Sequence, residues 1–108
     1  MSVEKPDRID AIGFESSTNS VILTVSDHLD WDDEAAHLRA LQAKLNSYLA
    51  FVESGEIAQN YPTAAGRPLV IDIVTRVPLS AAGQEFVARA RLLVETAGLE
   101  LRSRVLAV

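Results

Sequence analysis

The sequence predicts an α/β fold, a two-layer sandwich in which a four-stranded mixed sheet carries two helices on one face. Two amphipathic segments and four short segments rich in β-branched residues follow one another in the order ββαβαβ. Two helices with one apolar stripe each need one apolar sheet face to cover. Because β-α-β crossovers are right-handed, the last three strands should be mostly parallel if they share a sheet. The sequence leaves the strand order open.

The first two strands are predicted at residues 9–14 and 21–26, and the second is rich in β-branched side chains. A polar, turn-like segment at residues 15–20 separates them. We therefore expect an antiparallel hairpin.

The longest periodic segment predicts a helix from about Trp31 to Ser54. Asp30 is the expected N-cap, with Asp33 three residues on as a partial capping-box acid. Gly55 suits the left-handed position just past the helix end. Residues 56–66 should form a loop, with room for one helical turn. The apolar stripe recurs at steps of three and four, at Leu38, Leu41, Leu45, Tyr48, Leu49 and Val52.

The second half predicts a strand over Leu69–Arg76, in which alternate residues share a face. Ser80 is a suitable N-cap for the second helix, Gly98 ends it, and residues 99–105 form the last strand. The expected core face of this helix consists of Phe86, Val87, Ala90, Leu93, Val94 and Ala97.

Composition points to one α/β domain over residues 1–108, with residues 1–8 as a flexible or extended N-terminal segment. The chain has no cysteine, no long apolar run and no signal-like N-terminus, so we expect a soluble, cytoplasmic protein. The net charge is −5, and acids predominate in residues 1–60. An acidic surface repels nucleic acid and anionic lipid, so neither is an expected partner.

Residues 27–37 concentrate five acids and two histidines, and they raise the question of a metal site. A calcium loop needs a central glycine that this stretch lacks. The two histidines, His28 and His37, are nine residues apart, and only Asp33 and His37 have helical i, i+4 spacing. Two ligands do not make a site, so we expect no metal and no cofactor. The acids are instead typical of the start of a helix, where unpaired N–H groups and the helix dipole favour negative charge.

The chain contains no serine-hydrolase, dinucleotide-binding or P-loop motif. The sequence therefore favours a protein that is not an enzyme and assigns no catalytic residue, although it does not decide the matter. We expect His37 to be partly buried and bonded to a neighbour, and Trp31 to cover the core at the helix entrance. The alternative is a small-ligand binding protein or enzyme that uses the strand–helix junction, with Asp27, His28, Asp30, Trp31 and His37 as its site residues.

Several stretches are distinctive although they form no known motif: residues 3–13, VEKPDRIDAIG; residues 26–31, SDHLDW; and residues 41–57, LQAKLNSYLAFVESGEI. Together with Pro78-Leu79-Ser80, they resemble a family of small bacterial proteins defined as a domain of unknown function. The resemblance implies a soluble, stand-alone bacterial domain. It carries no activity and no catalytic residue.

The leading hypothesis is a small non-catalytic interaction or accessory module that acts as a dimer or with a protein partner. Apolar residues outside the predicted core stripes motivate it. Ile22, Val70 and Val74 are expected on the sheet face that no helix covers, whereas Phe51 and Leu92 are expected on the free sides of the helices.

Overall fold

The computed structural model describes residues 9–106, so the predicted N-terminal segment at 1–8 lies outside the described residues. The predicted α/β fold is confirmed, with the two long helices and a short third helix where a single turn was expected. The elements in chain order are β1 (Ala11–Glu15), β2 (Ser20–Asp27), α1 (Glu34–Glu53), α2 (Glu56–Asn60), a 3₁₀ turn (Pro62–Ala64), β3 (Leu69–Thr75), α3 (Ala81–Thr96) and β4 (Glu100–Val105).

The four strands lie in the order β1-β2-β3-β4, which the sequence could not predict. β1 pairs antiparallel with β2, whereas β2, β3 and β4 are mutually parallel, so the predicted hairpin and parallel strands are confirmed. The crossovers through α1 and α3 both step one strand in the same direction. Right-handed crossovers of that kind put both helices on one face.

The strand register explains which face the helices cover. Leu23, Ile71 and Leu101 stand in one row across three strands, and each is almost completely buried. Alternate residues point the other way, so Ile22 and Val70 lie in a row on the face that no helix covers. The core therefore lies between the helices and the first of these two faces.

The predicted start of α1 is wrong by three residues. The helix begins at Glu34, and its N-cap is Asp33, whose Oδ1 accepts a hydrogen bond of 3.1 Å from the N–H of Ala36. Asp30 is not the cap, because its carboxylate accepts from the N–H of Asp32 at 3.0 Å. Aspartate readily closes such a local turn with its own backbone, and this turn delays the helix.

The N-cap of α3 is predicted correctly, but part of its core face is wrong. Ser80 accepts from the N–H of Gly83 at 3.0 Å. Val87 and Val94 are buried, whereas Leu93 is 68% exposed, and Ala97 is also exposed. Val87 and Val94 face the sheet. Because successive residues in a helix are about 100° apart, Leu93 then points away from the sheet and towards α1.

Candidate functional site

The junction between β2 and α1 holds a buried pair of ionisable side chains. Nε2 of His37 lies 2.5 Å from Oδ2 of Asp27, and Nδ1 lies 2.9 Å from the carbonyl oxygen of Asp30. A carbonyl oxygen can only accept, so Nδ1 must carry a proton. A second proton then occupies the contact between Nε2 and the carboxylate. The pair thus joins the last residue of β2 to the first turn of α1.

Trp31 closes this junction from the side. Its ring stacks on the ring of His37, with centroids 3.7 Å apart and planes inclined by 22°. Its Nε1–H donates to the carbonyl oxygen of Pro78 at 3.0 Å. Trp31 packs against the hydrophobic core, which agrees with the expectation that it covers the core at the helix entrance.

Access decides what the Asp27–His37 pair can do. The side chain of His37 is 2% exposed and that of Asp27 is fully buried. A general base must come within hydrogen-bond reach of the proton that it removes. In this conformation both side chains are shielded from solvent, so the geometry fits a structural role.

The predicted ligand-binding residues do not converge on one cavity. Asp27, Trp31 and His37 lie together, and Asp30 joins them only through its backbone carbonyl. His28 is exposed. It borders a shallow hollow of about 200 Å³ at the carboxyl ends of β2 and β3, whose lining also includes Ser26, Asp27, Val74, Thr75, Arg76 and Leu106.

A second buried polar cluster was not predicted. Lys44 is fully buried in α1, and its Nζ lies 2.9 Å from Oδ1 of Asp10. The other oxygen of Asp10 accepts from the N–H of Ser26 at 2.9 Å. Tyr48 donates to the carbonyl oxygen of Thr24 at 2.5 Å and accepts from the N–H of Asp10 at 2.8 Å. The sequence did contain a signal for this cluster, because Lys44 lies within the apolar stripe of α1, three residues after Leu41.

Burial acts strongly on Tyr48 in this cluster. Removing the phenol from water raises the pKa of Tyr48 well above its ordinary value. The N–H of Asp10, which would stabilise a phenolate, acts in the opposite direction and is the smaller effect. The cluster fastens the start of β1 to α1 and β2, and its side chains have no access to solvent.

Metal binding finds no support in the geometry. Within residues 9–106, no group of three or more His, Cys, Asp or Glu side chains is arranged to hold a metal ion. Asp33, the i, i+4 partner of His37, is committed to the N-cap. The expected absence of a metal and a cofactor stays a prediction.

The sheet face that no helix covers is partly closed by its own charged side chains. Asp72 is 1% exposed there, and its Oδ2 accepts from Nε of Arg104 at 3.0 Å. Nε of Arg102 lies 3.5 Å from the other oxygen, an ion pair without a hydrogen bond. Val70 is only 5% exposed. Ile22 and Val74, which share this face, are half-buried.

The predicted helix-side residues have different surroundings. Phe51 is half-buried, and its ring meets the ring of Tyr61 edge-on at 6.5 Å between centroids. Leu92, by contrast, is 68% exposed, as is its neighbour Leu93. Of the five predicted interface residues, therefore, only Leu92 is strongly exposed.

Between the two long helices lies a groove of about 360 Å³, which we call the α1–α3 groove. Its apolar lining comes from both helices, and its polar lining includes Glu85 and Arg89, which form an ion pair with each other. Sequence reasoning missed this groove because Leu93 was placed in the core. The complete lining is Leu38, Gln42, Ala82, Glu85, Phe86, Arg89, Ala90 and Leu93.

A comparison with protein-family models gives a match that spans residues 1–107. The chain belongs to the DUF6572 family. This family is described as one of unknown function, so the resemblance drawn from the sequence is confirmed and no activity comes with it. No curated protein and no solved structure matches this DUF6572 chain. No helix within residues 9–106 is long and apolar enough to cross a membrane.

Proposed function

We propose that the chain is a non-catalytic interaction module that binds a protein through the α1–α3 groove. The observation that supports this is the exposure of Leu93, at 68%, beside a groove with apolar walls. Complete burial of a leucine side chain contributes about 1.5–3 kcal/mol. A partner that covers Leu93 would gain that contribution, whereas the isolated chain does not.

The make-up of the groove supports a protein rather than another kind of partner. Protein interfaces combine an apolar centre with a polar rim. Here Leu38, Phe86 and Leu93 supply apolar area, while the pair Glu85–Arg89 adds polar groups without net charge. The chain as a whole carries −5, which disfavours nucleic acid.

The alternative, a small-ligand binder at the strand–helix junction, has weaker support. The hollow beside His28 measures about 200 Å³, whereas ligand sites usually measure about 300–1,000 Å³. The carboxylate of Asp27, its nearest acid, is buried against His37. The hollow still offers polar side chains at His28, Thr75 and Arg76, so its small volume and the burial of the Asp27 carboxylate are what disfavour this alternative.

Site-specific photo-crosslinking in the native host tests the proposal. A photoreactive amino acid replaces Leu93 in one variant and Ala88 in a control. Ala88 is exposed on the same helix and does not line the groove. We expect cross-links to protein from position 93 and few from position 88. Absence of cross-links at position 93, or equal yields at both positions, would contradict the proposal.

A further inference from the structure

We infer that the protein occupying the α1–α3 groove is a second copy of this chain, with the two α3 helices antiparallel about a twofold axis near Arg89 and Ala90. This inference rests on the proposed function and adds the identity of the partner to it. It comes from the residue pattern along α3, from the charges beside the groove and from the size of the surface.

The residues that α3 turns towards the groove form a nearly palindromic pattern. Apart from Glu85 and Arg89, which also line the groove, they are in order small, large, small and large, at Ala82, Phe86, Ala90 and Leu93, and the exposed Ala97 continues the line one turn further. At about 100° per residue these positions share one side of the helix. The pattern is therefore much the same in both directions around its centre.

Such a pattern complements itself in an antiparallel helix pair. With the axis between Arg89 and Ala90, Phe86 of one copy faces Leu93 of the other, and Ala82 faces Ala97. Large residues meet at two symmetric places, Ala82 and Ala97 let the helices approach beyond them, and at the centre Ala90 of one copy faces Arg89 of the other. A twofold interface requires a surface that fits its own copy, and α3 has this property.

The charges beside the groove also suit a second copy. Two chains that each carry −5 repel one another over most of their surfaces. Near the proposed axis, however, Arg89 is already paired with Glu85 in the same helix. Two copies would bring two arginines and two glutamates together, which is a set with no net charge. The two copies therefore meet at a surface where the electrostatic repulsion between them is small.

The area of the contact predicts its strength. A helix of 16 residues is about 24 Å long, and only one side of it and a strip of α1 take part. We expect such a contact to bury less than the ~800 Å² per partner that is usual in stable complexes. We therefore expect a weak dimer whose population rises with concentration.

Engineered disulfides test the antiparallel geometry, because the chain has no cysteine of its own. Ala82→Cys and Ala97→Cys are prepared separately, with tags of different mass, and oxidised alone or mixed. We expect a mixed disulfide between positions 82 and 97. Each variant alone should form no disulfide between its copies, because identical positions would be about 22 Å apart at 1.5 Å per residue, far beyond the ~7 Å limit between Cα atoms.

Sedimentation equilibrium supplies the second measurement. The wild-type chain should dimerise with concentration, Leu93→Glu should lose the dimer, and the control Ala88→Glu should keep it. Disulfides between identical residues at position 82 or 97, or a monomer at every concentration, would overturn the inference. If the chain is monomeric but position 93 still cross-links to a different protein, the second copy is wrong and the proposed function stands. If position 93 cross-links to nothing, both are wrong.

Discussion

Asp27 and His37 fasten the end of a strand to the start of a helix through a buried contact of 2.5 Å between Oδ2 and Nε2. The net stabilisation from such a pair is modest, because both groups lose their hydration. Loss of one partner is a different matter, since it leaves the other buried without compensation. The loss of stability on substituting one residue of this pair therefore depends on whether its partner stays buried without a counterpart.

Replacing His37 with phenylalanine should lower the free energy of unfolding by about 3–5 kcal/mol, the usual loss when one member of a buried ion pair is removed. Asp27 would then be a buried carboxylate without its partner. Adding Asp27→Asn removes that charge and should restore part of the loss. Urea unfolding of the two variants checks this. A double variant less stable than His37→Phe would contradict the account.

Asp33 and Asp30 provide a second test at this scale. Asp33→Ala should lower stability by about 1 kcal/mol, because the N-cap hydrogen bond to Ala36 is lost. Asp30→Ala should cost less, since its carboxylate closes only an exposed turn. Thermal unfolding of both variants compares them directly. A larger loss for Asp30→Ala would mean that α1 begins earlier than Glu34.

At the scale of elements, Trp31 connects α1 to α3. The Trp31 ring lies between His37 and the first turn of α3, where a Cβ on Gly83 would come within 2.7–2.8 Å of it. The backbone of Gly83 lies in an ordinary helix, so the need for glycine comes from this close approach. Glycine at position 83 therefore sets the distance between the Trp31 ring and α3.

Gly83→Ala should therefore destabilise the protein, although alanine normally favours a helix by about 1 kcal/mol over glycine. The Trp31 ring cannot easily move, because it is stacked on His37 and bonded to Pro78. In a Trp31→Phe background the same change should be neutral or stabilising. Circular dichroism during urea unfolding measures all four proteins. A stabilised Gly83→Ala in the wild-type background would refute this packing.

The sequence predicts the order and type of the elements better than it predicts how they pack against each other. Apolar periodicity identifies α1, β3 and α3, because each must bury one side. It cannot tell that the turn at Asp30 delays α1, since several acids there could cap a helix. Nor can it show that Leu93 is exposed, because that depends on how far α3 is rotated against α1. The buried Lys44 was missed for a similar reason, as its partner Asp10 lies far away in the sequence, just before β1.

Within residues 9–106, the outer sheet face and the α1–α3 groove differ in character. The outer sheet face is partly closed by Arg102 and Arg104 over Asp72, and Val70 beneath them is 5% exposed. A charged substitution at Val70 would therefore disturb the fold before it tested an interface. The α1–α3 groove keeps Leu93 exposed instead. For this reason we assign the contact to the helical face.

The buried cluster around Tyr48 makes the stability of the whole fold depend on alkaline pH. The pKa of Tyr48 is raised in the folded protein by burial, whereas an unfolded tyrosine has a pKa of about 10. Below pH ~10 both states keep the proton and the stabilisation is complete. As the pH rises further, only the unfolded state ionises, so stability falls.

Tyr48→Phe should be less stable than the wild-type protein at neutral pH, but its stability should fall less above pH ~10. Unfolding curves recorded at several pH values can show this. An equal fall in both proteins would contradict the buried phenol.

Amide NMR spectra recorded over a dilution series test the central claim, that a second copy of the chain binds at the α1–α3 groove, most directly. The account predicts concentration-dependent shifts in α3, from Ala82 to Ala97, and around Leu38 and Gln42 on α1. Leu93→Glu should abolish these shifts, and Ala88→Glu should retain them. Shifts centred on Ile22 and Val74 on the outer sheet face would contradict the account, and so would spectra that do not change with concentration.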